Sequence, residues 1–227
     1  MIEFLFLDLD DTILDFKKAE YIAIGKTIAE FGIDPTDAVR SRYHEINKWH
    51  WQQLELGKMT RAQVLENRFS VLFSELGVQV DATAVARAYE KNLSQGHWFL
   101  PGAEETLEVL SKKYRLFLAS NGTASVQKGR MTSANLYRFF ETVFVSQEIG
   151  YNKPSRAYFD ACFGAIPGFD PARAIMVGDS LSSDIQGGIN AGIKTVWVNP
   201  DGCSCGDIRP DYEIEALHQL PALLETL

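Results

Sequence analysis

The sequence predicts an α/β fold built on a parallel sheet, and two patterns carry that prediction. From about residue 100 onward, short apolar runs alternate with segments that have helical spacing of apolar residues. Between about residues 15 and 96, every apolar pattern is helical and no strand pattern occurs. Repeated strand–helix units imply parallel strands, because each helix returns the chain to the same end of the sheet. The helical stretch is therefore an insertion into an otherwise alternating chain.

Five short apolar runs match the pattern of strands buried in a parallel sheet. Each is bounded by turn residues and is apolar at successive positions, as expected when helices cover both faces. The runs are residues 2–8, YRLFLAS (114–120), TVFVS (142–146), RAIMVGD (173–179) and KTVWVN (194–199). Helices are predicted at 103–113, 123–135, 155–166 and 182–192. This alternation predicts a Rossmann-like, doubly wound core, with the tail from Cys203 to Leu227 completing the sheet edge under a final helix.

The residues after the first strand predict four consecutive helices. KKAEYIAIGKTIAEFGI (17–33) has its apolar residues at helical spacing and ends near Gly32. Three further helices begin near Thr36, Thr60 and Asp81, which are residue types that favour a helix start. We expect an all-helical cap of residues 15–99, inserted after the first strand into a core of residues 1–14 and 100–227. The predicted hinges lie near residues 14–18 and 97–102.

The balance of charge argues against nucleic-acid and membrane partners. With a net charge of −8 and an isoelectric point near 5.1, the chain lacks the basic surface that binds a nucleic-acid polymer. No apolar run approaches roughly 18 residues, and no cluster of Lys and Arg marks a membrane patch. The N-terminus has no signal-peptide pattern, and the three cysteines are interpreted as reduced thiols. We expect a cytoplasmic protein that is a monomer or a homodimer.

Polar residues follow the predicted strands at the ends where ligands bind. In an open parallel sheet, the carboxyl ends of the strands lie together and ligands bind beyond them. Each motif alone has a structural alternative as an acidic turn, a helix start or a helix cap. Their joint occurrence, each at a strand end, favours a functional site. Its residues are Asp8, Asp10 and Thr12 after the first strand, Ser120, Asn121 and Gly122 after the second, Lys153 after the third, and Asp179 and Asp184 after the fourth.

The aspartates at these strand ends predict a divalent cation. Asp8 and Asp10 are two residues apart, so an extended backbone would point both side chains to one face, about 6–7 Å apart along the chain. Carboxylates at that separation repel one another unless a cation lies among them. Asp179 and Asp184 add oxygen ligands without histidine or thiolate, a combination that suits Mg²⁺. The ammonium of Lys153 would supply further positive charge.

These motifs together resemble the haloacid dehalogenase (HAD)-like hydrolase superfamily. Its signature, D-x-D-x-T, then S or T, then K, then G-D-x-x-x-x-D, occurs here in that order and over essentially the whole chain. The helical insertion has the size of a helical (C1) cap. The segments SNGTASVQKGRMTSANLYRFFETVFVSQEIGYNKPSRAYF and WHWQQLELGKMTRAQVLENRF are similar to the narrower pyrimidine 5′-nucleotidase-like branch. Phosphoglycolate-type phosphatases share much of this similarity.

The resemblance implies a role for each catalytic residue. Asp8 resembles the nucleophile that accepts the phosphoryl group as an aspartyl-phosphate. Asp10 resembles the general acid–base that protonates the leaving oxygen and then activates water. Ser120 would hold phosphate oxygens, and Lys153 would balance charge between nucleophile and phosphate.

The resemblance also implies a metal site and a phosphate-binding loop. Mg²⁺ would be held by Asp8, the Asp10 backbone carbonyl, Asp179 and Asp184. The substrate-binding set would comprise Thr12 and the backbone amides of Asn121 and Gly122. Phosphoryl transfer is mostly positioning and charge neutralisation, and this set of residues supplies both.

The implied activity is Mg²⁺-dependent hydrolysis of a phosphomonoester through an aspartyl-phosphate, with a nucleoside 5′-monophosphate as the favoured substrate. The partner would be a small phosphorylated metabolite. The presence of Asp10 favours a phosphatase over a dehalogenase and leaves a phosphomutase open. Alternatives are a phosphoglycolate or sugar-phosphate phosphatase and a β-phosphoglucomutase-type enzyme. A non-catalytic phosphate-binding or regulatory module ranks below these, since a receiver-like domain would have about half this length.

Four cap residues are candidates for contacting the substrate. Trp49 and Trp51 could stack on a nucleobase, although each could instead pack within the core of the cap. Arg61 and Arg68 could bind an anionic group, or they could be solvated surface charges. The sequence pattern leaves these alternatives open.

Overall fold

Six parallel strands form a single sheet in the order β3-β2-β1-β4-β5-β6 in the computed structural model, which describes residues 1–227. The strands are β1 (Phe4–Leu7), β2 (Arg115–Ser120), β3 (Thr142–Val145), β4 (Ala174–Gly178), β5 (Lys194–Val198) and β6 (Tyr212–Ile214). The α/β, Rossmann-like fold predicted from the sequence is confirmed, and the five predicted strands agree with β1–β5 to within two residues at each end. β6, in the tail, pairs with β5 and forms the edge.

Ten α-helices surround or extend from this sheet. Four lie between β1 and β2, and they are α1 (Phe16–Glu30), α2 (Asp37–Glu55), α3 (Arg61–Glu75) and α4 (Ala82–Leu93). The others are α5 (Ala103–Leu110), α6 (Ala124–Ser133), α7 (Ser146–Ile149), α8 (Arg156–Gly164), α9 (Gln186–Ala191) and α10 (Leu220–Leu224). None of them combines the length and the apolar character needed to cross a bilayer.

Two local differences from the sequence prediction occur beside the sheet. The helix predicted at 182–192 begins with a π-helical turn at Leu181–Ile185, and α9 continues from it. The short helix α7 was not predicted, since four residues provide too little periodicity for a sequence pattern. Both differences lie next to residues of the candidate site.

β1 lies in the middle of the sheet and is buried on both faces. Leu5 and Leu7 belong to one apolar cluster of 24 residues, whereas Phe4 and Phe6 belong to a second of 13 residues on the opposite face. The ring of Phe6 packs 5.3 Å from that of Phe117 in β2. Because successive side chains point to opposite faces, a central strand must be apolar at every position. This explains the uninterrupted run at the start of the chain.

The helices α1–α4 enclose a third apolar cluster of 14 buried residues, 13 of which come from these helices and one, Val126, from α6. At its centre the rings of Tyr43, Phe69 and Tyr89 contact one another, with centroids 5.2 to 5.4 Å apart. Two chain segments connect this block to the sheet, and they are joined by a backbone hydrogen bond of 2.9 Å from Asp15 N to Trp98 O. We propose from these separate clusters that residues 15–99 form a cap on a core of residues 1–14 and 100–227.

Candidate active site

The motifs singled out in the sequence meet at the carboxyl end of the sheet, where the strand order reverses. The chain proceeds from β1 to β2 and β3 on one side, then to β4, β5 and β6 on the other. Such a reversal opens a crevice between the central strands, here β1 and β4. Asp8 directly follows β1, Ser120 ends β2 and Asp179 directly follows β4. Tertiary structure therefore brings together motifs that are far apart in the chain.

Lys153 is the buried cation of this site. Its Nζ donates three hydrogen bonds of 2.6 Å, to Asp8 Oδ1, Asp184 Oδ1 and the carbonyl oxygen of Ala119. The side chain of Asn121 fixes the backbone of Lys153, since its Oδ1 accepts from Lys153 N and its Nδ2 donates to Lys153 O, both at 2.9 Å. All three ammonium donors are thus used. The position of the charge is set by these bonds at Nζ and by the bonds of Asn121 to the Lys153 backbone.

Burial and neighbouring charges together shift the pKa values of the ionisable groups in this site. Burial raises the pKa of Asp8 to about 8, against the opposing charge of Lys153 and with help from the negative charge of Asp184. Burial, together with the charges of Asp184 and Asp8, raises the pKa of Asp179 well above its usual range. Burial alone would lower the pKa of Lys153, but the charges of Asp184 and Asp8 outweigh it and raise that pKa.

Asp8, Asp179 and Asp184 form an acidic cluster whose donor set fits a divalent metal ion. One carboxylate oxygen from each residue lies within 4.8 Å of the others. When all three are deprotonated, three carboxylates beside one ammonium leave an excess of two negative charges, and no protein group donates a hydrogen bond to the carboxylate of Asp179. A set made only of oxygen ligands suits Mg²⁺. The side chain of Asp10 lies outside this cluster, so its predicted contribution through the backbone carbonyl stays a prediction.

Asp10 is held by two residues of α6 that the sequence analysis missed. Its carboxylate forms an ion pair with Arg130 Nη1 and accepts a 2.7 Å hydrogen bond from Gln127 Nε2. Gln127 Nε2 also contacts Ser120 Oγ at 2.9 Å, and the buried Arg130 donates from Nε to Gly96 O at 2.9 Å. The available signal was the three-residue spacing of these polar side chains, which places them on one face of the helix after the Ser-Asn-Gly motif.

Two motif glycines are required by close approaches of other side chains. A Cβ atom on Gly178 would lie 2.2 Å from Asp184 Oδ2, and one on Gly122 would lie 2.2 Å from Gln127 Nε2. Any larger residue would displace a carboxylate of the acidic cluster or the amide that contacts Asp10. The glycines therefore belong to the geometry of the site.

The loop after β2 provides groups suited to an anion. Ser120 is buried, and its Oγ accepts a 3.1 Å hydrogen bond from the amide of Gly122. Thr123 makes no capping hydrogen bond to the helix that follows, and the amide of Ala124 instead donates to Gln147 Oε1 at 2.8 Å. The remaining amides at this helix start are groups that can bind an anion. The contact of Ser120, Asn121 and Gly122 with a phosphate stays a prediction.

A cavity of about 460 Å³ connects this end of the sheet with the helices α1–α4. Its walls include Asp8, Lys153 and Ser120 from the sheet side and Trp51 from α2. The volume lies within the usual range for sites that hold a small organic molecule. The cavity therefore has a charged end and an end formed by the cap.

Two predicted substrate-binding residues do not line this cavity. Trp49 is half-exposed on the outer face of α2 and packs against His50 with ring centroids 4.9 Å apart, so its predicted stacking role stays a prediction that the cavity does not support. Thr12 is completely buried, and its Oγ1 accepts a 3.1 Å hydrogen bond from the amide of Asp179. Thr12 thus orients the loop that carries Asp179, and its predicted contact with substrate stays a prediction.

Arg61 joins α3 to the loop after β2 (residues 120–123, the proposed phosphate loop), so the alternative of a solvated surface charge does not hold. Its Nη1 donates to the carbonyl oxygens of Asn121 at 2.9 Å and Gly122 at 3.1 Å, and its Nη2 donates to Asn152 Oδ1 at 2.7 Å. Burial lowers the pKa of this guanidinium, which lies 5.5 Å from the centre of the Trp51 ring. Arg68 is also buried, within the cap.

Comparison with known proteins places this geometry among hydrolases. A family model described as haloacid dehalogenase-like hydrolase matches residues 5–198. The HAD-hydrolase YfnB of Bacillus subtilis is 37% identical over 221 residues, covering 97% of this chain and 94% of that protein. The crystal structure of YfnB bound to magnesium superposes with a TM-score of 0.94 and covers 98% of both chains.

Two nucleotidases are similar over nearly the same length. Pyrimidine 5′-nucleotidase PynA of Streptococcus pneumoniae is 36% identical over 220 residues, covering 96% of this chain and 93% of that protein. Pyrimidine 5′-nucleotidase YjjG of Escherichia coli is 28% identical over 228 residues, covering 98% and 97%. The similarity thus extends over the helices α1–α4 as well as the sheet.

Proposed function

The chain belongs to the haloacid dehalogenase-like hydrolase family, and we propose that it is a Mg²⁺-dependent phosphomonoesterase that hydrolyses nucleoside 5′-monophosphates, pyrimidine nucleotides foremost. The observation that carries the proposal is the buried contact of Lys153 with Asp8 and Asp184 beside Asp179, at one end of a cavity of suitable size. The similarity to PynA and YjjG supports the choice of substrate class.

Asp8 is the proposed nucleophile because it has one oxygen fixed and one free. Its Oδ1 is held by Lys153, whereas its Oδ2 accepts no hydrogen bond from the protein. Attack by this carboxylate on phosphorus forms an Asp8–phosphate bond and breaks the bond between phosphorus and the ester oxygen. The charge of Lys153 offsets negative charge that builds up near the phosphoryl oxygens.

Asp10 is the proposed acid–base group for both halves of the reaction. It gives a proton to the departing ester oxygen, which leaves as the nucleoside hydroxyl. It then takes a proton from a water molecule that attacks phosphorus, so that inorganic phosphate leaves and the Asp8 carboxylate is restored. Contacts from Gln127 and Arg130 orient the Asp10 carboxylate against α6.

The acidic cluster would hold Mg²⁺ through Asp8, Asp179 and Asp184, and the ion would supply positive charge for the phosphoryl oxygens. In the proposed division, the core forms one wall of the cavity and the cap forms the other. Water exclusion by such a cap strengthens the electrostatic interactions in the site. The contacts of Arg61 with the phosphate loop are consistent with a cap that lies over the site.

The decisive experiment is a measurement of phosphate release from a substrate panel, with Mg²⁺ and with EDTA. The panel contains UMP, CMP, dTMP, AMP, ribose 5-phosphate, phosphoglycolate and β-glucose 1-phosphate, and product analysis separates hydrolysis from isomerisation. We expect the highest kcat/KM for the pyrimidine nucleotides and loss of turnover with EDTA. Preference for glycolate or sugar phosphates, or turnover that survives EDTA, would contradict the proposal.

A further inference from the structure

Each of the four cap helices contributes one buried polar side chain to a single group inside the cap. The four are Glu20 from α1, Asn47 from α2, Arg68 from α3 and Tyr89 from α4, and we call this group the Arg68 pocket. All four line the cavity that also reaches Asp8. Burying polar groups at the centre of a small helical block is costly unless they are paired or used for binding.

Most of these polar atoms are paired with one another. Arg68 Nη1 donates to Asn47 Oδ1 at 2.8 Å, and Asn47 Nδ2 donates to Glu20 Oε1 at 2.6 Å. The second oxygen of Glu20 contacts His44 Nδ1 at 2.5 Å. Both ends of Asn47 and both oxygens of Glu20 are therefore engaged, which fixes the orientation of Arg68.

The guanidinium of Arg68 has donors without a partner in the protein. Arg68 makes only the one hydrogen bond, from Nη1, and its Nε is fully buried without an acceptor. The hydroxyl of Tyr89 is also buried, and its neighbour is the hydroxyl of Tyr43. Buried donors left without acceptors are uncommon in folded proteins, because each has lost its water and gained nothing in return. Arg68 Nη2 makes no hydrogen bond either and, unlike Nε, keeps accessible surface, so it is the donor that points to a ligand with acceptors in the cavity.

The charges around the pocket indicate that the ligand is neutral at this end. The guanidinium of Arg68 is linked through Asn47 to Glu20, and the partly buried Glu90 lines the same part of the cavity. Glu20 and Glu90 offset the charges of Arg68 and of His44, whose pKa is raised by its hydrogen bond with Glu20, so a phosphate or a carboxylate gains no net attraction here. The remaining surroundings are aromatic, since the Arg68 guanidinium lies 5.0 Å from the ring centres of both Phe69 and Tyr89.

We propose that the Arg68 pocket binds the base of the substrate, a neutral planar ring whose carbonyl oxygens accept hydrogen bonds from Arg68. This inference rests on the proposed function and names Arg68 as the residue that makes the enzyme selective for the base of its substrate. A guanidinium presents donors in a rigid plane, which matches the edge of a pyrimidine better than a flexible ammonium does. The phosphate of the same ligand would lie at the opposite, charged end of the cavity.

The test compares a nucleotide with the same molecule lacking its base. Values of kcat/KM for UMP and ribose 5-phosphate are measured in the natural protein and in Arg68→Met, which keeps the length of the side chain without its donors. We expect the natural protein to prefer UMP, and the UMP/ribose 5-phosphate ratio to fall about 10- to 100-fold in Arg68→Met. Arg87→Met is the matched control, since Arg87 lies exposed on α4 and does not line the cavity.

The outcomes separate this inference from the proposed function. If the natural protein shows no preference for UMP over ribose 5-phosphate, the proposed substrate is wrong and the inference falls with it. If the preference exists and Arg68→Met retains it, or loses both substrates in proportion, the pocket is only structural and the inference is overturned. Should Arg68→Met fail to fold in a thermal melt, Arg68→Lys decides the question by the same ratio.

Discussion

The acidic cluster and the Arg68 pocket are both buried polar groups on the wall of one cavity, yet they are built in opposite ways. Around the acidic cluster, the ammonium of Lys153 uses all its donors, while carboxylate oxygens of Asp8 and Asp179 remain without partners. In the Arg68 pocket, the oxygens are paired and donors remain free. The first group has excess negative charge when its carboxylates are deprotonated, whereas the second links its cation to an acid through Asn47.

This contrast explains how one cavity can combine chemistry with selectivity. A buried excess of carboxylates is unfavourable by itself and becomes favourable when a cation joins it, which is suitable for a metal-assisted reaction. A charge-balanced pocket with free donors gains little from ions and discriminates by hydrogen bonds. A variant at the charged end should therefore affect substrates with and without a base alike. A variant in the Arg68 pocket should affect only the substrates that carry a base.

The largest expected effect is at the charged end. Asp8→Asn removes the proposed nucleophile and should lower kcat by about 10⁴-fold or more, equally for UMP and ribose 5-phosphate. The substitution conserves shape and reduces the excess negative charge, so circular dichroism should show an intact fold. Turnover retained by Asp8→Asn would refute the assignment of the nucleophile.

The next effect concerns stability. Lys153→Met leaves three buried carboxylates with no ammonium, and we expect it to destabilise the Mg²⁺-free protein by about 3–5 kcal/mol in urea denaturation. Lys113→Met is the control, because Lys113 forms an exposed ion pair with Glu225, and a loss of at most about 1 kcal/mol is expected. Similar losses of stability in the two variants would mean that the folded protein does not depend on Lys153 more than on an exposed lysine.

A smaller effect is expected in the stabilisation of the protein by Mg²⁺, which should change with pH. The pKa of Asp8 is raised to about 8, and that of Asp179 is raised well above its usual range, so the folded protein binds protons more tightly than the unfolded chain. The stability of the metal-free protein should then fall as pH rises from about 4 towards about 8. Mg²⁺ requires the deprotonated carboxylates.

Melting temperatures measured with and without Mg²⁺ at pH 5 and pH 8 test this directly. We expect the increase produced by Mg²⁺ to be larger at pH 8, where the carboxylates would otherwise repel one another. In Asp179→Asn the difference between the two pH values should shrink. An equal increase at both pH values would show that the cluster does not take up the ion.

The smallest effect distinguishes two neighbouring tryptophans of α2. Trp51 lines the cavity and Trp49 does not, so Trp51→Ala should raise KM for UMP about 5- to 30-fold, the range expected for loss of one base-stacking contact. Trp49→Ala is the matched control and should change KM less than twofold. Equal effects on UMP and p-nitrophenyl phosphate in Trp51→Ala would remove the stacking role.

Much of the sheet and its charged end could be predicted from the sequence because their determinants are local. A strand buried on both faces must be apolar throughout, and the carboxyl ends of parallel strands must lie together. The motifs containing Asp8, Ser120, Lys153 and Asp179 therefore indicated a common site before any contact was known. The roles of these residues in catalysis stay predictions.

Sequence patterns could not show contacts that join separate elements. Thr12 belongs to a recognisable motif, yet its hydroxyl is used by the amide of Asp179 from another strand. Trp49 and Trp51 are two residues apart on one helix, and only packing of the cap decides which of them faces the cavity. Arg61 donates hydrogen bonds to the carbonyl oxygens of Asn121 and Gly122, and no pattern in the sequence indicates that contact.

By itself, the sequence determined the order of strands and helices, the insertion of four helices after β1 and the residues available at each strand end. These features follow from periodicity and from the chirality of strand–helix–strand connections, which act over short stretches of chain. Tertiary structure alone decided that Arg130 and Gln127 hold Asp10 and that four helices assemble the Arg68 pocket. Such contacts depend on how helices pack against one another, and many packings satisfy the same apolar pattern.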